Sequence, residues 1–316
     1  MPSQTEAGKA FEFALLRAAG DILSSFTAAS FSNDSSYLIA ERCFNLFSLH
    51  QQANYLKAAA AAINHIAGLE PRLIVPSSDT DVLNLRVVSD SSGIKGDVRD
   101  VLLTRQTQNW EIGLSAKNNH SAVKHSRLSD KIDFGRDWLG LSCNTSYFQA
   151  IAPVFTELRE LKAKSQLWRS LTNKHQRCYV PVLNAFRNEL RILDNSNVGT
   201  VPAKLLSYLL GNEDFYKIIK RTRKTEIYGF NLNGTLNKSS KHTKPIAKVT
   251  RLKLPTRIID LAFKENSTDT LLLFCDEGWQ ISFRIHNASS RVEPSLKFDI
   301  NLIGQPPALY SHHLSW

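Results

Sequence analysis

Cysteine is scarce: Cys43, Cys143, Cys178 and Cys275 are the only four, each isolated from the others. No C-x-x-C pair is present to hold zinc, and no dense framework exists to staple a small domain. The thiols read as reduced and mostly buried, which leads to the expectation of a cytoplasmic protein. Long apolar runs are also missing, since no stretch reaches 18 apolar residues, and the first residues lack the basic-then-apolar order of a secretory signal. Membrane insertion is therefore not expected. Neither an internal repeat nor a long low-complexity segment occurs.

Acidic residues are in short supply, 29 against 39 Lys and Arg, for a formal net charge of +10. The shortage is uneven: residues 1–90 hold 6 basic and 9 acidic side chains, residues 91–316 hold 33 and 20. A polyanion, if one is bound, is met by the middle and C-terminal parts, where each Lys or Arg near a phosphate displaces a condensed counterion.

What is present is a chain of 316 residues, 42% hydrophobic, long enough for one large or two modest domains. Helical spacing runs from about Glu6 to Ser25 through Phe11, Leu15, Ala18 and Ile22, and again over roughly Ser35 to Ala67, stopped by Gly68. Helical periodicity returns over about Ala150–Leu193, interrupted at Pro181, and over Ala203–Ile219. The last third reads as strands at 257–263, 270–274, 279–285 and 296–303, and Asn231–Lys248 as an exposed mobile loop. The pattern predicts an α/β fold: a mixed central sheet flanked by helices, with a strand-rich C-terminal portion. Residues 1–145 would form the core and 146–316 a helical, then strand-rich part, as two domains or one continuous one.

The informative segment is Gly96-Asp97-Val98-Arg99-Asp100-Val101-Leu102-Leu103, a polar turn at Gln106–Asn109, and Glu111-Ile112-Gly113-Leu114-Ser115-Ala116-Lys117. On a strand, residues two apart share a face, so Glu111, Gly113, Ser115 and Lys117 line one side and Ile112, Leu114 and Ala116 the other. A four-residue turn pairs Arg105 with Trp110, and counting back sets Asp100 across from Ser115, beside Lys117. A register slip would bring Asp97 instead. An acid and a lysine brought together suit metal-assisted phosphodiester hydrolysis, the acid holding Mg²⁺ and the lysine orienting water and offsetting charge.

This pattern resembles the PD-(D/E)-x-K nuclease superfamily, with two departures. Arg99 stands where proline is usual, and Ser115 stands at the position, two before the lysine, that is usually acidic. A second carboxylate must then come from elsewhere. Gly8-Lys9-Ala10-Phe11-Glu12 is similar to the superfamily's first helix, which makes Glu12 one candidate, and Glu111 is the other. Glu12 also suits an ordinary helix surface. The block from Gly96 through Lys117, Asn118, Asn119 and His120 to Lys124, His125, Ser126 and Arg127 resembles the HaeIII family of restriction endonucleases, and the likeness extends to Phe283-Arg284-Ile285-His286-Asn287. The resemblance implies a restriction-endonuclease-like fold and Mg²⁺-dependent cleavage of double-stranded DNA at the palindrome GGCC, a target suited to a homodimer.

Asn118, Asn119, His120, Lys124, His125 and Arg127 crowd amide, imidazole and cationic groups into ten residues, chemistry that can read base edges or hold phosphates. Lys217, Lys220, Arg221, Arg223 and Lys224, with Tyr216 and Tyr228, form a second basic group that reads as a phosphate-tracking stripe or as the solvated end of a helix. Arg284 and Asn287 are further candidate DNA contacts. The expected catalytic set is Asp100, Ser115, Lys117, Glu12 and Asp97, with Asp100, Glu12 and Glu111 as metal ligands. Two rival readings share these residues: a non-catalytic sequence-specific DNA-binding protein, and an Mrr-like nuclease of lower specificity.

Overall fold

The computed structural model describes residues 2–89, 97–119 and 123–316. Its first helix, α1 (Gln4–Leu23), starts at a capping box in which Ser3 and Glu6 satisfy each other's backbone N–H groups. The expected helix over 35–67 is two helices, α2 (Ser35–Asn45) and α3 (Leu49–Leu69). Ser48 and Gln51 form a second capping box, which restarts the helix. A short α4 (Pro71–Ile74) follows.

The strands of the first half are β1 (Ala29–Phe31), β2 (Leu83–Val87), β3 (Val101–Arg105), β4 (Trp110–Asn118) and β5 (Lys124–Leu128). Helices α5 (Thr145–Ala163), α6 (Val180–Ser196) and α7 (Val201–Leu210) come next. Pro181 lies in the first turn of α6, directly after a π-helical turn at His175–Tyr179, and the break in the expected helix falls earlier, after Ala163. The helical reading of 203–219 holds for its first part, which is α7, and β6 (Phe215–Arg221) corrects its end; β7 (Lys224–Phe230) follows. The chain closes with β8 (Ile258–Phe263), β9 (Thr270–Cys275), β10 (Gln280–His286), β11 (Leu296–Gly304) and β12 (Tyr310–Ser315). Among the described residues no helix is long and apolar enough to cross a membrane, and all four cysteines are free thiols.

The chain divides into two compact units built from separated segments, where the sequence suggests the consecutive parts 1–145 and 146–316. Unit 1 comprises Met1–Ser121, Asn212–Leu252 and Ala308–Trp316, and unit 2 Ala122–Gly211 and Lys253–Pro307. Unit 1 holds a seven-stranded mixed sheet in the order β1-β2-β3-β4-β6-β7-β12. The β1–β2 and β4–β6 pairs are parallel and the others antiparallel. One face packs Leu85, Leu103, Ile112, Leu114, Ala116 and Ile218 against Phe11 and Leu15 of α1 and Ala62 and Ile66 of α3. Burying each large aliphatic side chain there contributes about 1.5–3 kcal/mol. At the hairpin end of β3 the fully buried Arg105 donates to the carbonyls of Arg72, Leu73 and Asp81, which ties the strand to α4.

Unit 2 carries a five-stranded antiparallel sheet, β5-β11-β10-β9-β8. Its aromatic core joins Phe134 and Phe186 to Phe283 of β10 and Phe298 of β11.

The segment 231–248, expected to be a mobile loop, is anchored. Asp214 accepts hydrogen bonds from the backbone of Leu232, Asn233 and Thr235, and the Asn237 amide donates to the carbonyls of Leu69 and Ala247. Leu236 is buried beneath it.

Candidate active site

The β3–β4 ladder pairs Arg105 with Trp110 and Val101 with Leu114, the register that the four-residue turn implies. Gln106–Gln108 form a tight helical turn, and Asn109 closes it with a left-handed backbone (φ 44°), a conformation asparagine tolerates better than most residues. Asp100, just ahead of β3, continues the ladder by donating its N–H to the Leu114 carbonyl at 2.8 Å. Its Oδ2 then accepts from Ser115 Oγ at 3.2 Å, Ala116 N at 2.6 Å and Lys117 Nζ at 3.3 Å. Ser115 is buried, whereas the Asp100 and Lys117 side chains keep about a quarter of their surface open. A carboxylate and an ammonium are thus fixed side by side and within reach of an entering group.

Helix α1 supplies the third member. Glu12 is 6% exposed, and Lys9, one turn earlier, places Nζ 3.0 Å from Glu12 Oε2. Burial, and then the Asp100 charge, push the Glu12 carboxyl up to about 7, while Lys9 and Lys117 pull the other way. Glu12, Asp100 and Lys117 therefore form one electrostatic cluster. Lys9 was absent from the sequence-derived set, although its place three residues before Glu12 on a helix is the signal for such a pair.

The two other acids are held elsewhere by Arg99. Its guanidinium donates to Asp97 through Nε at 2.8 Å and Nη2 at 2.9 Å, and to Glu111 through Nη1 at 2.6 Å. Although burial opposes the charge, these partners hold Arg99 firmly protonated. The side chain lies directly over Gly113, where an added Cβ would stand 2.0 Å from Arg99 Cδ. The residue in the usual proline position thereby engages Asp97, the register alternative, and Glu111, the competing metal ligand, in ion pairs.

Among the described residues no group of three or more His, Cys, Asp and Glu is placed to hold a metal ion. Glu12 and Asp100 offer two hard-oxygen donors whose mutual repulsion raises the Glu12 carboxyl, and a cation between them would relieve it. That donor set fits Mg²⁺, which is commonly held by one or two carboxylates with waters and substrate phosphate completing its shell.

The expected DNA contacts fall in both units. In unit 1, Asn118 Nδ2 donates to the Tyr55 hydroxyl at 3.2 Å, while its Oδ1 is buried without a hydrogen-bond partner. Asn119 is exposed with φ 55°, and its N–H donates to the Lys220 carbonyl. Lys220 Nζ lies 5.1 Å from the Tyr55 ring and 5.8 Å from the Trp316 ring. Arg221 pairs with Glu226 at 3.4 Å, and Arg223 is exposed in the two-residue turn between β6 and β7. This basic group is a β-hairpin, not a helix end, and Lys217 within it is buried, not solvated. His120 lies outside the described residues.

In unit 2, Lys124 donates to the Tyr208 carbonyl at 2.7 Å beneath the same residue's ring, and burial pushes its ammonium down to about 8. His125 faces Asp299 at 2.8 Å, and Arg127 pairs with Glu293 and Ser295. The buried Asn287 amide donates to the carbonyls of Ser289 and Arg291 and accepts from Glu293 N, so it organises its own turn. Arg284 is exposed on β10.

A mixed sheet with an acid–serine–lysine hairpin and a glutamate presented by the first helix defines a restriction-endonuclease-like protein. The family model described as HaeIII restriction endonuclease matches residues 8–306, and the chain belongs to that family. It is 44% identical over 311 residues to the type II restriction enzyme HaeIII of Haemophilus aegyptius, covering 98% of this chain and 97% of the relative. No solved structure matches the chain.

Proposed function

We propose that the protein is a type II restriction endonuclease that hydrolyses double-stranded DNA at the short palindrome GGCC, using Mg²⁺ and the cluster Asp100, Lys117 and Glu12. The observation that carries the chemistry is the convergence of Ser115, Ala116 N and Lys117 on one Asp100 oxygen, with the buried Glu12 near enough for the Asp100 and Lys117 charges to act on it. Family membership and the 44% identity to HaeIII support the DNA substrate and the GGCC target.

Asp100 and Glu12 would hold Mg²⁺, which when bound polarises a phosphoryl oxygen and makes water a better nucleophile. Ser115 and the Ala116 N–H fix the Asp100 carboxylate, so the donor does not need to reorganise when substrate arrives. Lys117 orients the attacking water and sets positive charge against the phosphate oxygens. In-line attack forms a new P–O bond as one bridging P–O bond breaks, and the departing oxygen takes up a proton. Asn118, Asn119, Lys220, Arg221, Arg223 and Arg284 make contacts to phosphates and base edges. Lys124, His125, Arg127 and Asn287 support the surface through partners in their own unit.

The test is digestion of supercoiled plasmid with Mg²⁺, with EDTA as control, by the parent, Asp100→Asn and Lys117→Ala. Discrete fragments ending within GGCC are expected from the parent, with a loss of about 10³-fold or more in each variant. Full cleavage by either variant would overturn the assignment. A mobility shift without cutting would point to a DNA-binding protein, and a smear to a nuclease of lower specificity.

A further inference from the structure

Lys220 ends the core-facing row of β6. Ile218 and Tyr216, two and four residues back, lie in the core beneath the helices, and residues two apart on a strand share a face. An apolar row therefore finishes in a charge. The ammonium meets two rings there: Nζ lies 5.1 Å from the centre of the Tyr55 ring on α3 and 5.8 Å from that of Trp316, the residue directly after β12. Both rings are fixed. Tyr55 accepts a hydrogen bond from Asn118, the register partner of Lys220 on β4, and packs against Phe11 and Phe47. Trp316 donates Nε1 to Thr225 Oγ1 at 2.8 Å, and that hydroxyl donates to the Ala58 carbonyl of α3 at 3.1 Å. In the same hairpin Arg221 and Lys224 share Glu226, at 3.4 and 3.1 Å, whereas Lys220 has no ion pair among the described residues.

We propose that Tyr55 and Trp316 form an aromatic seat that holds Lys220 ready for a DNA phosphate, and that Trp316 is a positioning residue of the DNA-binding surface. The assignment rests on the DNA-binding part of the nuclease reading and adds two residues to it. A ring face attracts a cation without neutralising it. A carboxylate such as Glu226 must be given up or shared when a phosphate arrives, and a ring need not be. Burial has already stripped the Lys220 ammonium of part of its hydration, which pushes its pKa down, so an incoming anion meets a charge that is poorly screened. Asn118 directly follows Lys117 on β4, and its partner Lys220 stands beside it. The seat therefore lies at the same end of the sheet as the cleavage site, on the opposite face. A duplex held for cutting passes this end.

The experiment measures affinity for a GGCC duplex in EDTA across a salt series, with thermal melting beside it, for the parent, Lys220→Ala, Trp316→Leu, Trp316→Phe and the double variant of Lys220→Ala with Trp316→Leu. Lys220→Ala should bind about tenfold more weakly and reduce the slope of log affinity against log salt by about 0.9. Trp316→Leu should bind about three- to fivefold more weakly with the slope unchanged, and Trp316→Phe should recover most of that loss because a ring is restored. The double variant should bind no more weakly than Lys220→Ala, since the seat then has no cation to hold. Binding by Lys220→Ala within about twofold of the parent would overturn the proposal. So would a Trp316→Leu loss that adds in full to that of Lys220→Ala, the mark of a tryptophan that only supports the fold. If Trp316→Leu fails to fold, Trp316→Met is read in the same way. A parent that binds duplex DNA without cutting it defeats the nuclease reading and leaves this one standing, whereas a cutting parent with an equally tight Lys220→Ala defeats this one alone.

Discussion

Glu12 shows how a single residue's surroundings change its ionisation. In the unfolded chain its carboxyl ionises near 4.5; in the folded protein burial and Asp100 push that to about 7. Between those values the folded state binds a proton that the unfolded state has released, so stability falls as pH rises from about 4.5 to about 7 and stays at the lower level above. The loss is on the order of 3 kcal/mol. Glu70 is buried and raised to about 7 as well, so a pH titration of the parent reports both groups. The difference between the parent and Glu12→Gln isolates one. Glu12→Gln should melt higher than the parent at pH 8, the gap should close toward pH 4.5, and DNA cleavage should be lost. If Mg²⁺ binds as proposed, it should raise the melting temperature of the parent at pH 8 and leave that of Glu12→Gln nearly unchanged, because the ion would offset the repulsion between the two ionised carboxylates. A variant that melts below the parent at pH 8 would mean that the buried charge is already compensated.

At the scale of elements, the β3–β4 hairpin is the part most legible in the sequence. A polar turn between apolar runs sets its register, and the register alone brings Asp100 to Ser115. The helix start at Ser48, which the reading of 35–67 as one helix passes over, had its signal in Gln51 three residues on. Strand β6 was hidden for a physical reason: Phe215, Tyr216, Ile218 and Ile219 form a short apolar run, and period alone does not separate a buried strand from the continuation of a helix. Gly211 and Asn212, directly after α7, were the stop signal that separates the two. That Arg99 engages Glu111 lay beyond sequence, since nothing in the pattern says where the Arg99 guanidinium goes. That geometry gives a test of the element. Gly113→Ala should displace Arg99 from Asp97 and Glu111 and destabilise the protein by about 1–3 kcal/mol in denaturant unfolding. Adding Arg99→Ala to Gly113→Ala should cost less than the sum of the single changes, because the clash then has no partner. Strict additivity would show that the two residues do not compete for space.

Over the whole molecule, the charge asymmetry read along the chain is redistributed by the fold. Residues 1–121 carry 10 basic and 12 acidic side chains, and the returning segment 212–252 brings 10 basic and 3 acidic. Unit 1 therefore ends with 20 basic against 15 acidic residues and unit 2 with 19 against 14, a surplus of +5 in each. In unit 1 that surplus is delivered by the segment that forms β6 and β7 beside the Asp100–Lys117 hairpin, so the charge that would attract a polyanion arrives next to the groups that would cut it. Binding should then depend steeply on salt. For a site that neutralises about 6–10 phosphates, affinity for duplex DNA measured in EDTA should fall about 10³- to 10⁵-fold between about 50 and 200 mM monovalent salt. Arg223, exposed in the β6–β7 turn, is placed to contribute one such contact. Arg223→Ala should reduce the slope of log affinity against log salt by about 0.9 and weaken binding to GGCC-containing and GGCC-lacking duplexes alike. An unchanged slope would remove Arg223 from the phosphate contacts, and a loss confined to GGCC duplexes would make it a reader of bases.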